Sequence, residues 1–362
     1  MKGPIENIRY KMHHSAFWIR LLNWEYWPMH LVYTPVYLYY LFLSLKARAF
    51  VFFSAANPGI DMGGLLGESK YDILQKIPSA YIPKTLYLSK EMSHGEVISA
   101  LERASISFPL ILKPDVGERG FMVEKIRDEV ELADYRRSVP TTLLAQEYIH
   151  YQEEVSVLYY RYPEKKQGVI SSLTLKEFLH VEGDGERNLE ELILDYPRAF
   201  LQYETLKERF YDRLKEIPPN GKKIDLVAIG NHSRGTKFLN GNHLIDEQLM
   251  ATFDHISHQI DGIYFGRFDI RYESLESLKR GEKFKILEIN GVKSEPTHIY
   301  DPDFSLWEAY KVLFKQWNTI YEISQQNRQK GVQVVGSREA FKRMLEVFKY
   351  KKDTREFAGN MG

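Results

Sequence analysis

Apolar and charged residues alternate along two segments in the second half of the chain. The segments are residues 265–271 (FGRFDIR) and 284–290 (FKILEIN), and their polar positions include Asp269, Glu288 and Asn290. Alternate residues of a β-strand share a face, so each segment predicts a strand with one apolar and one charged side. Side by side, the two strands would gather the oxygen ligands that Mg²⁺ prefers. An amphipathic hairpin with solvated charges gives the same pattern.

The rest of the chain mixes helical and strand patterns. Short apolar runs predict strands at residues 49–56, 109–113, 142–149, 169–181 and 223–229. Helical periodicity predicts helices at residues 70–77, 93–104, 189–215 and 246–261, then two amphipathic helices after residue 304. Residues 230–242 form a polar loop in this interpretation. Because strands and helices do not alternate regularly, the pattern favours an α+β fold with antiparallel sheet in its second half.

An aromatic segment near the start of the chain breaks these patterns. Residues 26–45 contain no Asp, Glu, Lys or Arg, and they reach the length of a membrane-spanning helix. Their five tyrosines and two prolines suit a membrane interface better than its hydrocarbon interior. Basic residues lie on both sides of the segment. Three interpretations remain open, namely a lipid-facing surface, burial against the rest of the protein, and a true span.

Composition excludes several classes of function. The 362 residues carry 49 basic and 49 acidic side chains, so no overall basic field indicates a nucleic-acid partner. Cysteine is absent, which excludes disulfides, thiolate metal sites and cysteine nucleophiles and fits a reducing compartment. We expect a cytoplasmic protein without a cleavable signal peptide, with peripheral association with the inner face of the membrane as an alternative. The oligomeric state is not indicated.

The segment SFPLILKPDVGERGFMV (107–123) places a lysine at the end of a predicted strand, before a loop that contains glycines. Lys113 would present a point charge to phosphate oxygens. Backbone N–H groups near Gly117 and Gly120 could cradle those oxygens, since glycine permits close approach and positive φ. The motif taken alone is also an ordinary turn.

GRFDIR followed by ILEINGV, with the Lys-Pro loop upstream, resembles the ATP-grasp superfamily, as in D-alanine–D-alanine ligases and biotin carboxylases. The resemblance covers about residues 65–302 and implies two α+β subdomains that clamp ATP. By this resemblance Asp269, Glu288 and Asn290 match the ligands of magnesium, with Mn²⁺ as an alternative metal. Arg267 matches the catalytic arginine that stabilises the transferring phosphate and the acyl intermediate.

The segment LLAQEYIHYQEEVSV (143–157) resembles the hinge against which adenine packs in this superfamily. Glu154 matches the acid that holds the ribose hydroxyls, and Glu153 is its rival by one position. A plain edge strand with an exposed glutamate is the alternative interpretation. The residues that match the hinge are Gln146, Glu147, Tyr148 and Ile149.

Lys70 opens a predicted helix in GESKYDILQKIPSAYIPKT and resembles the first lysine of the family, a second phosphate contact. A surface lysine at the start of a helix gives the same pattern. The segment VEGDGERNLEELI is similar to VxGDGxxTxxELI of cyanophycin synthetase-type proteins, with Asn188 in place of threonine. In the polar loop IGNHSRGTKF (229–238), Arg234 and Lys237 are candidate cations for phosphate or substrate.

The residues after the second charged strand, GVKSEPTHIYDPD (291–303), face the acceptor substrate in such ligases. Ser294, Glu295, His298 and Tyr300 are therefore candidates for contacts with the substrate. Glu295 or His298 could receive the proton of an amine, provided that it lies within hydrogen-bonding reach. Residues 57–67 are a second candidate, for the carboxylate substrate.

The resemblance implies four parts of the chain. They are an aromatic-rich segment that could associate with a membrane, a reduced N-terminal domain of α/β type, the ATP-grasp domain and C-terminal helices, at residues 1–46, 47–105, 106–302 and 303–362. Since about 25 residues separate the aromatic segment from Lys70, the first domain of D-alanine ligases is shortened here. D-alanine is therefore not predicted as the substrate.

The function that the resemblance implies is that of a Mg-ATP-dependent ligase. It would join a carboxylate to an amine through an acyl phosphate and release ADP and phosphate. Its substrates would be small-molecule or lipid-linked carboxylates and amines. Two alternatives remain, namely a kinase that uses the same nucleotide site and a non-catalytic nucleotide-binding protein at a membrane.

Overall fold

A computed structural model describes residues 15–117, 120, 122–139, 141–227, 230 and 235–359. Its strands form three antiparallel sheets, with the order β1-β4-β2-β3, β11-β10-β5-β6-β9 and β7-β8. The strands are β1 Thr85–Leu88, β2 Leu110–Pro114, β3 Glu124–Ile126, β4 Leu143–Glu147, β5 Glu153–Tyr160, β6 Val169–Glu177, β7 His180–Glu182, β8 Lys223–Asp225, β9 Lys237–Asn240, β10 Phe265–Tyr272 and β11 Phe284–Asn290.

Helices cover the sheets and form both ends of the described chain. The α-helices are α1 Ala16–Leu22, α2 Met29–Ala47, α3 Lys70–Leu74, α4 His94–Arg103, α5 Glu129–Ser138, α6 Leu189–Asp195, α7 Pro197–Phe200, α8 Tyr203–Arg209, α9 Glu247–His258, α10 Leu275–Lys279, α11 Leu306–Gln329 and α12 Ser337–Gly359. The predicted α+β class with antiparallel sheets is therefore confirmed. The two amphipathic helices expected after residue 304 are α11 and α12.

The four-stranded sheet carries helices α4 and α5 on its outer side. Val97 and Leu101 of α4 pack with Leu132 of α5 against Leu110 and Leu112 of β2. Strand β1 pairs with β4 of this sheet, so residues 85–88 belong to the same layer as the Lys-Pro strand. This core fixes the end of β2, where the chain enters the glycine-containing loop.

The five-stranded sheet carries helix α9 on its apolar side. Phe268 and Ile270 of β10 are buried against Phe253 and Ile256 of α9. The intervening positions of β10 are less buried and face the opposite way. The apolar positions of the alternating sequence thus form the core side of this sheet, and its charged positions form the opposite side.

Four secondary-structure predictions were wrong. The strand predicted at 169–181 is divided into β6 and β7, which belong to different sheets. Residues 49–56 form no strand and instead contain the short 3₁₀ helix Phe52–Ala55, because an apolar run of this length suits either buried structure. The helix predicted at 189–215 is divided into α6, α7 and α8, with Pro197 at the start of the second piece. The polar loop predicted at 230–242 contains strand β9, which joins the five-stranded sheet through β6.

The aromatic segment forms helix α2, which is buried on one side only. Val32, Val36 and Leu43 are inside the protein, while the side chains between them on the outer face are exposed. Within the described part of the chain, no helix combines the length and the apolar character that crossing a membrane requires.

A buried ion pair joins the residue just before the aromatic segment to the α6–α8 region. Arg198 donates to both carboxylate oxygens of Glu25, at 2.7 and 2.9 Å. Both side chains are less than a tenth exposed. Two charges out of water stabilise each other strongly in such a place, but either one alone would be costly.

Candidate functional site

A cleft of about 1180 Å³ lies between the four-stranded and the five-stranded sheets. The four-stranded sheet contributes Lys113 and the hinge residues, and the five-stranded sheet contributes the charged sides of β10 and β11. The N-terminal segment contributes side chains at one end, including Trp27 and Tyr37. Two α+β layers facing each other across a charged cleft are the arrangement that the ATP-grasp resemblance implies.

Strands β10 and β11 bring the candidate metal ligands together. Asp269 is paired with Glu288, and Arg267 with Asn290, in the antiparallel register. Asn290 Nδ2 donates to Asp269 Oδ2 at 3.1 Å. A bulge follows, because Ile270 pairs with Ile286 and leaves one extra residue on β11.

The extra residue in the bulge is Leu287, and it changes the phase of the strand. Strict alternation predicts Leu287 on the apolar side, but the structure places it among the residues that line the cleft. Its carbonyl oxygen accepts a hydrogen bond of 3.2 Å from Lys113 Nζ on the opposite sheet. The bulge therefore joins strand β11 to Lys113 of the opposite sheet.

Asp269 stays ionised although it is buried. Burial alone would raise its pKa, but the cations Arg267 and Lys176 and a hydrogen bond from Ser156 hold the pKa well below its usual range. Arg267 lies 3.1 Å from one carboxylate oxygen, and Lys176 Nζ lies 3.5 Å from the other. The side chain is thus a fixed negative charge at the floor of the cleft.

The donor set fits Mg²⁺ in its chemistry. It consists of two carboxylates and one amide oxygen, and hard divalent cations bind one or two protein carboxylates together with phosphate oxygens. Among the described residues, no three His, Asp or Glu side chains gather as a metal-binding group.

Two lysines approach the loop after β2. Lys113 Nζ also donates to Gln146 Oε1 at 3.0 Å, and burial lowers the pKa of Lys113 to about 8, with Glu288 opposing part of the effect. Lys70 Nζ donates to the carbonyl oxygens of Gly117, at 2.5 Å, and Asp115, at 3.2 Å. Burial also lowers the pKa of Lys70. Both cations lie beside the glycine-containing loop.

The four hinge residues line the cleft together. Arg271 fixes the last of them, since it donates to the carbonyl oxygen of Ile149 at 3.2 Å. Lys125 Nζ lies 3.9 Å from the ring centre of Tyr148. Burial opposes the change, but Lys125 and Arg271 lower the pKa of Tyr148 overall. The structure places Glu154 inside the cleft, whereas its rival Glu153 is exposed.

Lys176 is a cleft residue that the sequence motifs did not indicate. Its Nζ lies 2.5 Å from Glu154 Oε1, between that carboxylate and Asp269. Burial would lower its pKa, but the two carboxylates raise the pKa above its ordinary value. The sequence signal for Lys176 was the alternation of residues 172, 174 and 176, which share one face of β6. This signal could not be used, because the sequence does not show that β6 pairs with β5.

Glu295 lies at the end of the cleft that the N-terminal segment borders. Tyr300 OH donates to one of its carboxylate oxygens at 3.0 Å, and Tyr33 OH from helix α2 donates to the other. Arg267 approaches the backbone carbonyl of the same residue. Ser294 is buried beside it and lines the cleft. Tyr33 could not be foreseen, because it lies 262 positions away in the chain.

Two predicted site residues, His298 and Lys237, are not brought into the cleft. His298 is buried behind it, where its Nδ1 forms a hydrogen bond of 2.7 Å with Ser172 Oγ. Lys237 lies on β9 opposite Glu177 and does not line the cleft. Arg234 lies outside the described residues. Gly117 and Gly120 line the cleft.

The position of His298 predicts a dependence of stability on pH. Burial lowers the pKa of His298 to about 4, so the unfolded chain binds more protons than the folded protein between about pH 4 and 6.5. The folded state therefore loses stability as the pH falls through this window, by about 2–3 kcal/mol at about pH 4.5. Urea unfolding at neutral pH and at about pH 4.5 measures the loss. In the variant His298→Gln the loss should be smaller by that amount.

The control for this prediction is His30→Gln, because His30 is exposed on helix α2. It should show the pH dependence of the wild-type protein. An equal acid-induced loss in wild type and His298→Gln would contradict the neutral, buried state of His298.

No protein family matches the sequence, and no curated protein matches it. Similar solved structures include a bifunctional glutathione synthetase from Pasteurella multocida, with 14% identity, a TM-score of 0.40, and coverage of 68% of this chain and 36% of that chain. They also include a D-alanine–D-alanine ligase from Bacillus anthracis, with 13% identity, a TM-score of 0.43, and coverage of 76% and 72%. A D-Ala:D-Ser ligase from Enterococcus faecalis matches with 14% identity, a TM-score of 0.39, and coverage of 69% and 61%.

Proposed function

We propose that this protein is a Mg-ATP-dependent ligase that joins a carboxylate to an amine. One observation carries the proposal. The paired carboxylates Asp269 and Glu288 face the buried lysine Lys113 across one cleft, and Arg267 lies beside them. Phosphoryl transfer requires positive charge around the transferring group and little covalent chemistry from the protein. The cleft offers this charge in fixed positions.

Different residues of the cleft would bind different groups of ATP. The backbone of the hinge, from Gln146 to Ile149, would read the edge of adenine, and Glu154 would accept hydrogen bonds from the ribose hydroxyls. Lys113 and Lys70 would bind phosphate oxygens. Backbone N–H groups near Gly117 and Gly120 would add donors, since a glycine loop can approach phosphate closely.

Asp269, Glu288 and Asn290 would hold Mg²⁺, or Mn²⁺ in its place. When bound, the ion supplies positive charge to the phosphate oxygens. The protein keeps Asp269 ionised through Arg267 and Lys176, so that carboxylate is ready as a ligand at neutral pH.

The reaction would proceed in two steps. A carboxylate oxygen of the first substrate attacks the γ-phosphorus of ATP, the bond to the β-phosphate oxygen breaks, and ADP leaves with its electron pair. An amine nitrogen then attacks the acyl carbon, phosphate leaves, and the nitrogen loses a proton. Arg267 would stabilise the charge that develops on the transferring group and then on the acyl oxygen.

Glu295 is the candidate site for the amine. The hydrogen bonds from Tyr33 and Tyr300 hold its carboxylate in one orientation at the end of the cleft. A fixed carboxylate can bind an ammonium group and receive its proton, provided that the nitrogen lies within hydrogen-bonding reach. The substrates themselves would be small or lipid-linked carboxylates and amines.

A hydroxylamine trap tests this function. Purified protein, Mg-ATP and a panel of carboxylates, amphiphilic ones included, are incubated with hydroxylamine, and hydroxamate and ADP are measured together. A ligase yields both with the right carboxylate, because hydroxylamine intercepts the acyl phosphate. ADP release with a phosphorylated alcohol and no hydroxamate would establish a kinase instead. ATP binding without turnover across the panel would contradict the proposal.

The lowered pKa of Lys113 predicts how ATP affinity depends on pH. Since the pKa is about 8 in the absence of nucleotide, the lysine loses its charge as the pH rises through this value. Binding needs the charged form, so ATP affinity should fall by about tenfold between about pH 7 and pH 9. Isothermal titration calorimetry measures it. The variant Lys113→Arg should bind ATP more weakly, but its affinity should not fall between these pH values, because arginine stays charged. An equal fall of ATP affinity in the variant would exclude Lys113 as the cause.

A further inference from the structure

Helix α2 is apolar on both of its long sides. Val32 and Leu43 are buried on the inner side, whereas Leu38, Phe42 and Leu45 on the outer side are exposed by 64%, 57% and 80%. The outer side of a surface helix in a globular protein normally carries polar and charged residues. The outer side of α2 therefore has the character of a contact surface.

The same character continues through helix α1, which precedes α2 in the chain. We call the exposed apolar side chains of these two helices the N-terminal apolar face. Contiguous apolar patches of more than a few hundred Å² mark sites of interaction with proteins or membranes. Its principal members are Phe17, Leu21, Leu38, Leu41, Phe42 and Leu45.

The charges of this region are of one sign at the surface. Between residues 15 and 50 the chain has a single acidic residue, Glu25, and its carboxylate points inward to Arg198. The basic residues of the same stretch, Arg20, Lys46 and Arg48, are exposed. The exposed charges of these two helices are therefore all positive, and an apolar face that carries exposed cations is complementary to anionic lipid headgroups above an acyl layer.

We propose that the N-terminal apolar face binds an anionic lipid surface. The leucine and phenylalanine side chains enter the boundary between headgroups and acyl chains, and the three cations lie against lipid phosphates. A second copy of the chain fits this face less well. A symmetric contact would bring the same cations together with no exposed acid of this stretch to pair with them.

The face borders the inter-sheet cleft. Trp27 and Tyr37 are exposed, and both also line the cleft at the end where Glu295 lies. Trp and Tyr are the residues that favour the interface of a membrane. Docking by this face places the mouth of the cleft beside the lipid headgroups. The inference concerns where the protein acts and does not depend on the ligase reaction.

Co-sedimentation with vesicles tests the inference on the full-length protein. The probes are vesicles of phosphatidylcholine alone and of an equal mixture of phosphatidylcholine and phosphatidylglycerol. Wild-type protein should pellet with the anionic vesicles. The triple variant L38Q/L41Q/L45Q, which keeps good helix formers on the exposed side, should bind at least about tenfold more weakly.

Two further variants separate the apolar and the electrostatic contributions. K46Q/R48Q should lose about tenfold or more in affinity for the anionic vesicles, and its remaining binding should depend less on salt. The matched control is V130Q, because Val130 is 69% exposed on helix α5, away from this face. It should bind like wild type, and circular dichroism melting should show that all variants are folded.

Three outcomes would overturn the inference. The first is wild-type protein that stays in the supernatant with both kinds of vesicle. The second is a triple variant that pellets like wild type. The third is a concentration-dependent dimer in sedimentation velocity that the triple variant abolishes, which would assign the face to a second copy of the chain.

Discussion

Glu288→Gln should lower the rate of ATP-dependent turnover by about 10²–10³-fold while leaving the protein folded. The change replaces one of the two carboxylates of the β10–β11 pair with a neutral amide of the same shape. A neutral amide binds a hard divalent cation poorly, so the charge around the transferring phosphate decreases. ADP release under saturating ATP measures the effect.

The same variant separates a catalytic from a structural explanation. Without divalent cation, a fluorescent ATP analogue should bind wild type and Glu288→Gln with similar affinity, whereas Mg²⁺ should strengthen binding in wild type alone. The matched control is Glu282→Gln, an equal change in the exposed turn between β10 and β11. Full activity of Glu288→Gln would contradict the proposal that Glu288 holds a metal ion.

Arg198→Met should lower the free energy of unfolding by about 3–5 kcal/mol, since it leaves the carboxylate of Glu25 buried without its bidentate partner. Removal of one member of a buried pair is much more destabilising than removal of the pair. The double variant E25Q/R198M should therefore recover most of the loss. Urea denaturation measures all three variants.

An exposed ion pair provides the control for this prediction. Arg187 pairs with Asp184 at 2.6 Å, but its side chain is 45% exposed. Arg187→Met should cost about 1 kcal/mol or less, because water screens and replaces a surface pair. A loss in Arg198→Met no larger than in Arg187→Met would show that the N-terminal segment is not held by this pair.

The strands that carry the candidate metal ligands were predictable because their signal is local. A period of two positions separates the buried from the charged side of β10, so the burial of Phe268 and Ile270 could be read from the sequence. The same reasoning wrongly placed Leu287 on the apolar side of β11. One extra residue in a strand shifts the alternation, so the positions beyond it exchange sides. Lys113 was also readable, because the end of a strand before a glycine loop is a local feature.

Elements without a distinctive period were not predictable in the same way. Residues 51–56 of the run predicted as a strand are all buried, and such a run contains no information on whether its backbone is extended or helical. Helix α2 is a related case. Its composition left burial, a lipid-facing surface and a true span open, and the structure shows that one side of the helix is buried and the opposite side is exposed.

The sequence by itself identified most of the residues to which the proposed chemistry is assigned, because alternation is a property of neighbouring positions and the motifs resemble those of the ATP-grasp superfamily. Only the tertiary structure decided which side chains surround them. Lys176 reaches Glu154 and Asp269 through the pairing of three strands, and Tyr33 reaches Glu295 across 262 positions of chain. Such contacts depend on how sheets and helices pack against each other. Packing brings together residues that are far apart in the chain, and no periodic pattern in the sequence indicates which of them will meet.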